Sequence, residues 1–160
     1  MFSLLYLFLI MWSIVRKRRK RKRASSVTKH YVEHKEVTRV LVHSRLEHWN
    51  QFYNFEFNRV AIRNQRRCWG SCTSLKNLNF SYKLLFLPTH LQDYIIVHEL
   101  CHLEELNHGK NFWALVEQQV PDYKAYIKEL RAIEQGGMSY ARLEKLKETL
   151  HSDVVQSNTI

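Results

Sequence analysis

The chain of 160 residues carries a formal net charge of +10 at pH 7, and 45% of its residues are hydrophobic. This length leaves room for one modest core, and four glycines with two prolines indicate few tight turns and much helix. The odd number of cysteines, three, excludes a fully paired disulfide framework and suits a reducing compartment.

The chain begins with a hydrophobic segment, MFSLLYLFLIMWSIV, over residues 1–15. A cleavable signal peptide carries its positive charges before the apolar segment, whereas here they follow it. As a helix this segment spans about 22 Å, less than the hydrocarbon core of about 30 Å. We expect this segment to be either a hydrophobic leader or a short anchor at a membrane surface. The positive charges that follow the segment would keep the rest of the chain cytoplasmic. A mis-assigned start codon and a disordered leader are the alternatives.

Residues 16–29 form a predicted basic linker, which opens with eight consecutive Arg and Lys residues. Subtracting these charges leaves 10 − 8 = +2 for everything else, so most of the basicity lies in one tail. Acting alone, this run has the composition of a nuclear-type address or a nucleic-acid tail. A second basic patch, at Arg59, Arg63, Arg66 and Arg67, is interpreted as a solvated or structural face.

Residues 30–135 are predicted to form one domain, followed at 136–160 by a C-terminal helix and polar tail. The pattern of side chains predicts an α+β fold, mostly helical, with a small antiparallel sheet packed on the helix that follows Pro88. In chain order the predicted elements are a helix at 30–53, a strand at Arg59–Arg63, one or two strands within 78–87, a helix capped by Thr89, helices at 112–119 and 121–134, and a charged helix at 139–150.

The sequence His-Glu-Leu-Cys-His occupies residues 98–102, in the helix that follows Pro88. Positions four apart lie about 40° apart around a helix axis, so His98 and His102 present their imidazoles on one face. With Glu99 beside them, they form the HExxH arrangement of zinc hydrolases, in which the carboxylate is the general base. The preceding run is apolar, and an unpaired histidine and glutamate would be costly to bury there.

A third histidine, His108, follows six residues after His102. A continuous helix would rotate its ring about 240° away from the other two, so the chain must turn first. Asn107 and Gly109 flank it, and both residue types end helices or adopt left-handed backbone. A catalytic zinc takes three protein ligands and leaves the fourth position to water. We therefore expect His98, His102 and His108 to bind Zn²⁺.

Several short motifs follow one another along the chain: Ile62–Cys72, Asn79–Phe80, Leu84–Pro88, Asp93–Leu103, Asn107–His108, Phe112–Trp113 and Pro121–Tyr123. Their residues and order resemble the YgjP-like metallopeptidases, a family of minimal zincins related more loosely to the SprT-like and WLM proteases. The resemblance spans about residues 30–132 and is densest over about 59–123. Because several separate motifs agree, it is far more specific than HExxH alone.

The resemblance implies a zincin-like fold and a zinc-dependent hydrolase of the peptidase type, acting on a peptide or protein substrate. It implies zinc ligands at His98, His102 and His108 and a general base at Glu99. In such a mechanism Glu99 takes a proton from a metal-activated water and passes it to the leaving amine. We expect an edge strand within 78–84 to align an extended peptide by backbone pairing.

Two alternatives come from other functional classes. The first is a nucleic-acid-associated, SprT-like protease that the basic run tethers to DNA. The second is a non-catalytic interaction domain that keeps zinc only for stability. A purely structural site would need no general base at Glu99 and would normally fill all four metal positions, so the sequence favours an enzyme.

Overall fold

The computed structural model describes residues 29–137, 139, 142–145 and 148. The chain divides into two compact units, residues 1–34 and 35–160. In the first unit the described residues are helical, and the imidazole rings of His30 and His34 stack with their centroids 4.2 Å apart. The leader and nearly all of the basic linker lie outside the described residues. Within the part of the chain that is described, no helix is long and apolar enough to cross a membrane.

Helices dominate the described residues. Residues 29–53 are helical and form α1. The later elements are β1 (Arg59–Arg63), β2 (Gly70–Cys72), β3 (Asn77–Ser81), a 3₁₀ helix (Tyr82–Phe86), α2 (Thr89–Cys101), α3 (Lys110–Gln119) and α4 (Tyr123–Gln135). The predicted α+β, mostly helical class is confirmed, as are the strand at β1 and the four helices that become α1 to α4. Of the predicted C-terminal helix, residues 142–145 and 148 are described, and they are helical.

The three-stranded sheet is mixed, whereas an antiparallel sheet was expected. Strand β3 lies in the centre, parallel to β1 and antiparallel to β2. Residues 64–69 connect β1 to β2, which lies on the opposite side of β3. The hairpin between β2 and β3 then reverses the chain, so that β3 runs parallel to β1. Because β3 is paired on both sides, the prediction of a peptide-pairing edge strand within 78–84 is wrong. Among the residues described, the free edges of the sheet belong to β1 and β2.

Two local predictions are corrected at the ends of elements. One or two strands were expected within 78–87, but a single strand ends at Ser81 and a 3₁₀ helix follows. Ser81 Oγ accepts a hydrogen bond from the Lys83 amide at 3.4 Å and caps that helix. Helix α2 begins at Thr89, and its N-cap residue is Pro88, without a side-chain cap. Thr89 is therefore not the cap, because the helix starts one residue earlier than the sequence pattern indicated.

Helix α2 lies at the centre of the core. Ile96 and Val97 are completely buried, as are Leu78 and Phe80 on the inner face of β3. A helix that is apolar on nearly all sides must be enclosed by other elements. Hydrogen bonds tie its neighbours together, including one from Tyr53 Oη to the Leu115 carbonyl at 2.9 Å. The core therefore holds the C-terminal end of α2, which carries the HExxH sequence, in a fixed position.

Candidate active site

The end of α2 and the turn that follows bring the three predicted histidines together. His98 lies in the last turn of α2, and His102 is its C-cap residue with helical backbone (φ −68°, ψ −13°). The amides of Glu104 and Glu105 then bond to the Cys101 carbonyl and turn the chain, as the position of His108 required. His98 Nε2 lies 3.2 Å from His102 Nε2 and 3.1 Å from His108 Nε2.

Both Nε2 separations from His98 are close to those expected between ligands of a metal ion. Ligands arranged tetrahedrally at about 2.0–2.1 Å from zinc lie about 3.4 Å apart, close to the observed separations. A ring nitrogen offers one proton or one lone pair, so His98 Nε2 cannot form a full hydrogen bond to both neighbours. The donor set therefore fits a cation held by three imidazoles.

The other ring nitrogens have partners that orient two of these rings. His102 Nδ1 lies 2.9 Å from the Glu105 carbonyl oxygen, and a carbonyl only accepts, so Nδ1 must carry the proton. Its Nε2 is then left with a lone pair facing the cluster. His98 Nδ1 lies 3.4 Å from Tyr94 Oη, one turn earlier on α2. Such outer partners fix the tautomer and the orientation of metal-binding histidines.

The local environment keeps two of the rings uncharged. Burial, together with the neighbouring His102 and His108, lowers the pKa of His98 to about 3. Burial also lowers the pKa of His102, opposed by the hydrogen bond to the Glu105 backbone. Imidazole binds metals in its neutral form, so both rings are prepared for a metal near neutral pH.

Helix α3 contributes aromatic side chains that pack on the histidines. The ring of Phe112 stacks on His102 with centroids 4.4 Å apart, and Trp113 stacks on His108 at 5.6 Å. Trp113 stacks in turn on Tyr123, with centroids 4.9 Å apart. These contacts restrict rotation of the imidazole rings and favour one arrangement of the cluster.

The Glu99 carboxyl is buried in the same site. The residue is 5% exposed, and its Oε2 has no hydrogen-bond partner among the described residues. Burial raises the pKa of Glu99 to about 8, so this carboxyl holds a proton more firmly than an exposed glutamate does. A buried carboxyl without a partner is costly to the fold, and strongly perturbed groups in a cleft are typical of functional sites.

Gly70 of β2 makes room for this carboxyl. A Cβ atom at position 70 would lie 2.6 Å from Glu99 Cγ and Oε1 and 2.8 Å from Cδ, well inside the usual carbon contact distance of about 3.5–4.0 Å. Immediately before it, Trp69 Nε1 donates a hydrogen bond to Glu134 Oε1 at 2.9 Å. That bond ties the start of β2 to α4 and supports the close approach of Gly70 to Glu99.

An open cleft of about 270 Å³ gives access to the cluster. All three residues of β2 line the cleft, and among the described residues β2 is paired along one edge, with β3. The cleft is lined by Gly70, Ser71, Cys72, His98, Glu99, His102, Leu106 and His108.

Tyr94 and Gly70 were not anticipated from the sequence, although all four predicted site residues line one cleft. Tyr94 lies four residues before His98, and that spacing places both on one helix face. The spacing is a usable signal that was overlooked. Gly70 offered no comparable signal, because its closeness to Glu99 depends on how the sheet packs against α2.

Replacing Tyr94 with phenylalanine is expected to weaken metal binding about tenfold, the lower end of the range for outer partners of metal-binding histidines. The ring stays in place, but the hydroxyl group 3.4 Å from His98 Nδ1 is lost. Competition with a chromophoric chelator measures the change. Tyr126→Phe is the matched control, because the Tyr126 ring contacts Tyr94 at 6.3 Å. Equal metal affinity of Tyr94→Phe and the unmodified protein would remove Tyr94 from the site.

Comparison with known proteins gives a consistent result. The sequence model of a family described as YgjP-like, metallopeptidase domain, matches residues 10–133. A search of curated proteins finds no match. Among solved structures, the metallopeptidase zymogen of Pyrococcus abyssi abylysin is 24% identical with a TM-score of 0.53, covering 59% of this chain and 95% of that one. The zymogen of Methanocaldococcus jannaschii jannalysin is 22% identical with a TM-score of 0.45, covering 61% and 95%.

The match to abylysin is a likeness of fold. The family description adds that relatives of this domain are metallopeptidases, which implies a metal. Within the described residues, the histidine cluster is a group whose ligand-type atoms lie within 4.8 Å of one another. The histidine cluster lies within the residues that the family model matches.

Proposed function

The chain belongs to the YgjP-like metallopeptidase family, and on that premise we propose that it is a zinc-dependent peptidase that hydrolyses amide bonds in peptides or proteins. One observation carries the proposal: the Nε2 atoms of three histidines converge in a cleft that also contains the buried Glu99 carboxyl, whose Oε2 has no hydrogen-bond partner among the described residues. Neutral imidazole donors at this spacing suit zinc. His98, His102 and His108 would hold the ion.

Glu99 is the proposed general base. The chemistry that bound zinc supplies is acidification of a water molecule and polarisation of the scissile carbonyl group. Glu99 would accept the water proton at Oε2, the oxygen without a partner in the described residues, and then release it to the leaving amine. One carboxyl can perform both steps, because it is ionised before the attack and protonated until the amine leaves.

The free edge of β2 would align the substrate. An extended peptide can add to an exposed strand edge through backbone hydrogen bonds, and β2 offers such an edge along the cleft. Pairing there would bring the peptide backbone beside the three histidines. This assignment moves the proposed peptide-binding strand from residues 78–84 to Gly70–Cys72.

The two alternative functions are less well supported. A structural zinc site normally fills all four metal positions with protein ligands, whereas three imidazoles converge within the described residues. A structural zinc site would also gain nothing from the buried Glu99 carboxyl, whose Oε2 has no partner among the described residues. Tethering to nucleic acid depends on the basic run, which lies outside the described residues, and stays a prediction.

Replacing His108 with alanine is expected to weaken zinc binding by more than about 100-fold, because losing a ligand should cost more than losing an outer partner. Metal analysis of protein purified without chelator, followed by chelator competition, measures this. The unmodified protein should contain about one zinc ion per chain and cleave peptides in a proteome-derived library until zinc is removed.

His90→Ala is the matched control for this experiment. His90 is exposed, and its Nε2 lies 2.8 Å from Glu129 Oε2, on the surface of α2 and α4. This substitution should leave zinc affinity unchanged. If the His108 variant kept full zinc affinity, the three-histidine site would be wrong. If zinc-loaded protein cleaved no peptide in the library, the peptidase assignment would be wrong.

A further inference from the structure

The sheet and its connecting loops carry positive charge without any negative charge. From residue 57 to residue 92 the sequence contains no Asp or Glu. It contains six cationic residues, namely Arg59, Arg63, Arg66, Arg67, Lys76 and Lys83. Most of the chain's Asp and Glu residues lie on the helices and on the loop after α2. The charge is therefore segregated by structural element, and the sheet is the basic part.

These cations are available to a partner. Five of the six are exposed, and Lys83 is the buried one. None of the six forms an ion pair with another described residue. Burial lowers the pKa of Lys83, and the charge of the nearby Arg66 lowers it further.

The basic loops reach the cleft at both ends of β2. Arg66 and Arg67 precede Cys68, whose pKa is raised by burial and then by the Glu99 carboxylate, so this loop runs close to the base. At the other end of β2, burial and Glu99 raise the pKa of Cys72 to about 11. The ammonium group of Lys76, which follows the strand, has the opposite effect on this pKa. Cations thus flank the strand edge that lines the cleft.

We propose that the substrates of this site are acidic: they carry Asp or Glu side chains within a few residues of the scissile bond. The inference rests on the proposed peptidase function and names its substrate class. A peptide paired with β2 would place its own side chains beside Arg66, Arg67 and Lys76. These cations would attract Asp and Glu side chains of the peptide, because opposite charges attract at short distances. Two acidic residues, Glu104 and Glu105, also follow the HExxH sequence, in the loop between α2 and His108. The Glu105 carboxylate already has a partner, because it accepts a hydrogen bond from Asn111 at 3.1 Å.

The test compares cleavage and binding by the zinc-loaded full-length chain. In a proteome-derived peptide library, mass spectrometry should find Asp and Glu enriched about tenfold over Lys and Arg around the cleaved bonds at low ionic strength. In parallel, the Glu99→Gln protein should bind a fluorescent peptide flanked by Glu about tenfold more tightly than the same peptide flanked by Lys. Both preferences should shrink as salt is added, because exposed charges are screened.

Charge-reversal variants locate the effect. Arg66→Glu with Arg67→Glu should abolish the preference for acidic peptides, and the milder Arg66→Gln with Arg67→Gln should reduce it. The charge-matched control, Lys124→Glu with Lys128→Glu on exposed positions of α4, should leave it unchanged. Cleavage without any charge preference would overturn the inference and leave the peptidase function standing. An oligonucleotide that binds in an Arg66- and Arg67-dependent manner, while acidic peptides do not, would assign the surface to nucleic acid.

Discussion

Replacing Glu99 with glutamine is expected to lower the rate of peptide hydrolysis about 10²–10⁴-fold, the range for loss of a positioned general base, and to leave zinc content unchanged. The amide has nearly the same shape as the carboxyl but cannot accept and release a proton. Stability should not fall, because the Glu99 carboxyl is buried and its Oε2 has no partner among the described residues. Initial rates on a fluorogenic peptide chosen from the library, measured with zinc-loaded protein, provide the test.

Glu104→Gln is the control for this change. It makes the same carboxyl-to-amide replacement at an exposed position just after the HExxH sequence, and it should leave the rate nearly unaltered. A Glu99→Gln protein that retained zinc and most of its activity would exclude Glu99 as the base. A protein that lost its zinc would instead indicate that the carboxyl supports the metal directly.

The second large effect is expected from a single added methyl group. Gly70→Ala should lower kcat/KM about 100-fold, because the new Cβ would fall 2.6 Å from Glu99 Cγ and Oε1 and must displace the carboxyl. A shift of about 1 Å in a catalytic group can cost that much in rate. Zinc affinity should change little, since the three atoms nearest to the new Cβ all belong to Glu99.

Gly109→Ala separates this effect from a general cost of losing a glycine. A Cβ at position 109 would meet nothing within 4 Å, and the backbone there has φ −77°, which any residue adopts. Activity should therefore stay near that of the unmodified protein. Unchanged kcat/KM in Gly70→Ala would show that Glu99 can move aside without penalty, contrary to its tight packing.

The sequence was sufficient where local pattern and structure coincide. Strand β1 reads Arg-Val-Ala-Ile-Arg, with an exposed arginine at each end, and its bounds were predicted as found. Strand β2 was missed, because Gly-Ser-Cys has no strand propensity and only three residues. It is extended because it pairs with β3 and lies beside α2. The same limit applies to the sheet, since the direction in which β1 meets β3 depends on the path of residues 64–69 and not on either strand.

The candidate site divides in a similar way. The convergence of His98, His102 and His108 followed from helical spacing and from a turn that Asn107 and Gly109 indicated. The contacts that support these rings, such as Phe112 on His102, join separate helices. No local pattern encodes such packing, so these aromatic contacts were recognisable only once the helices were assembled.

The short length of β2 also bears on the resistance of the protein to aggregation. An unpaired strand edge is a template for pairing between molecules, and native proteins limit that hazard with short edges and with charge. β2 has three residues, a run of about 10 Å, and cationic loops lie before and after it. Two copies brought together edge to edge would oppose like charges across few hydrogen bonds. We therefore expect the edge to accept a flexible, oppositely charged chain while resisting the first step of aggregation.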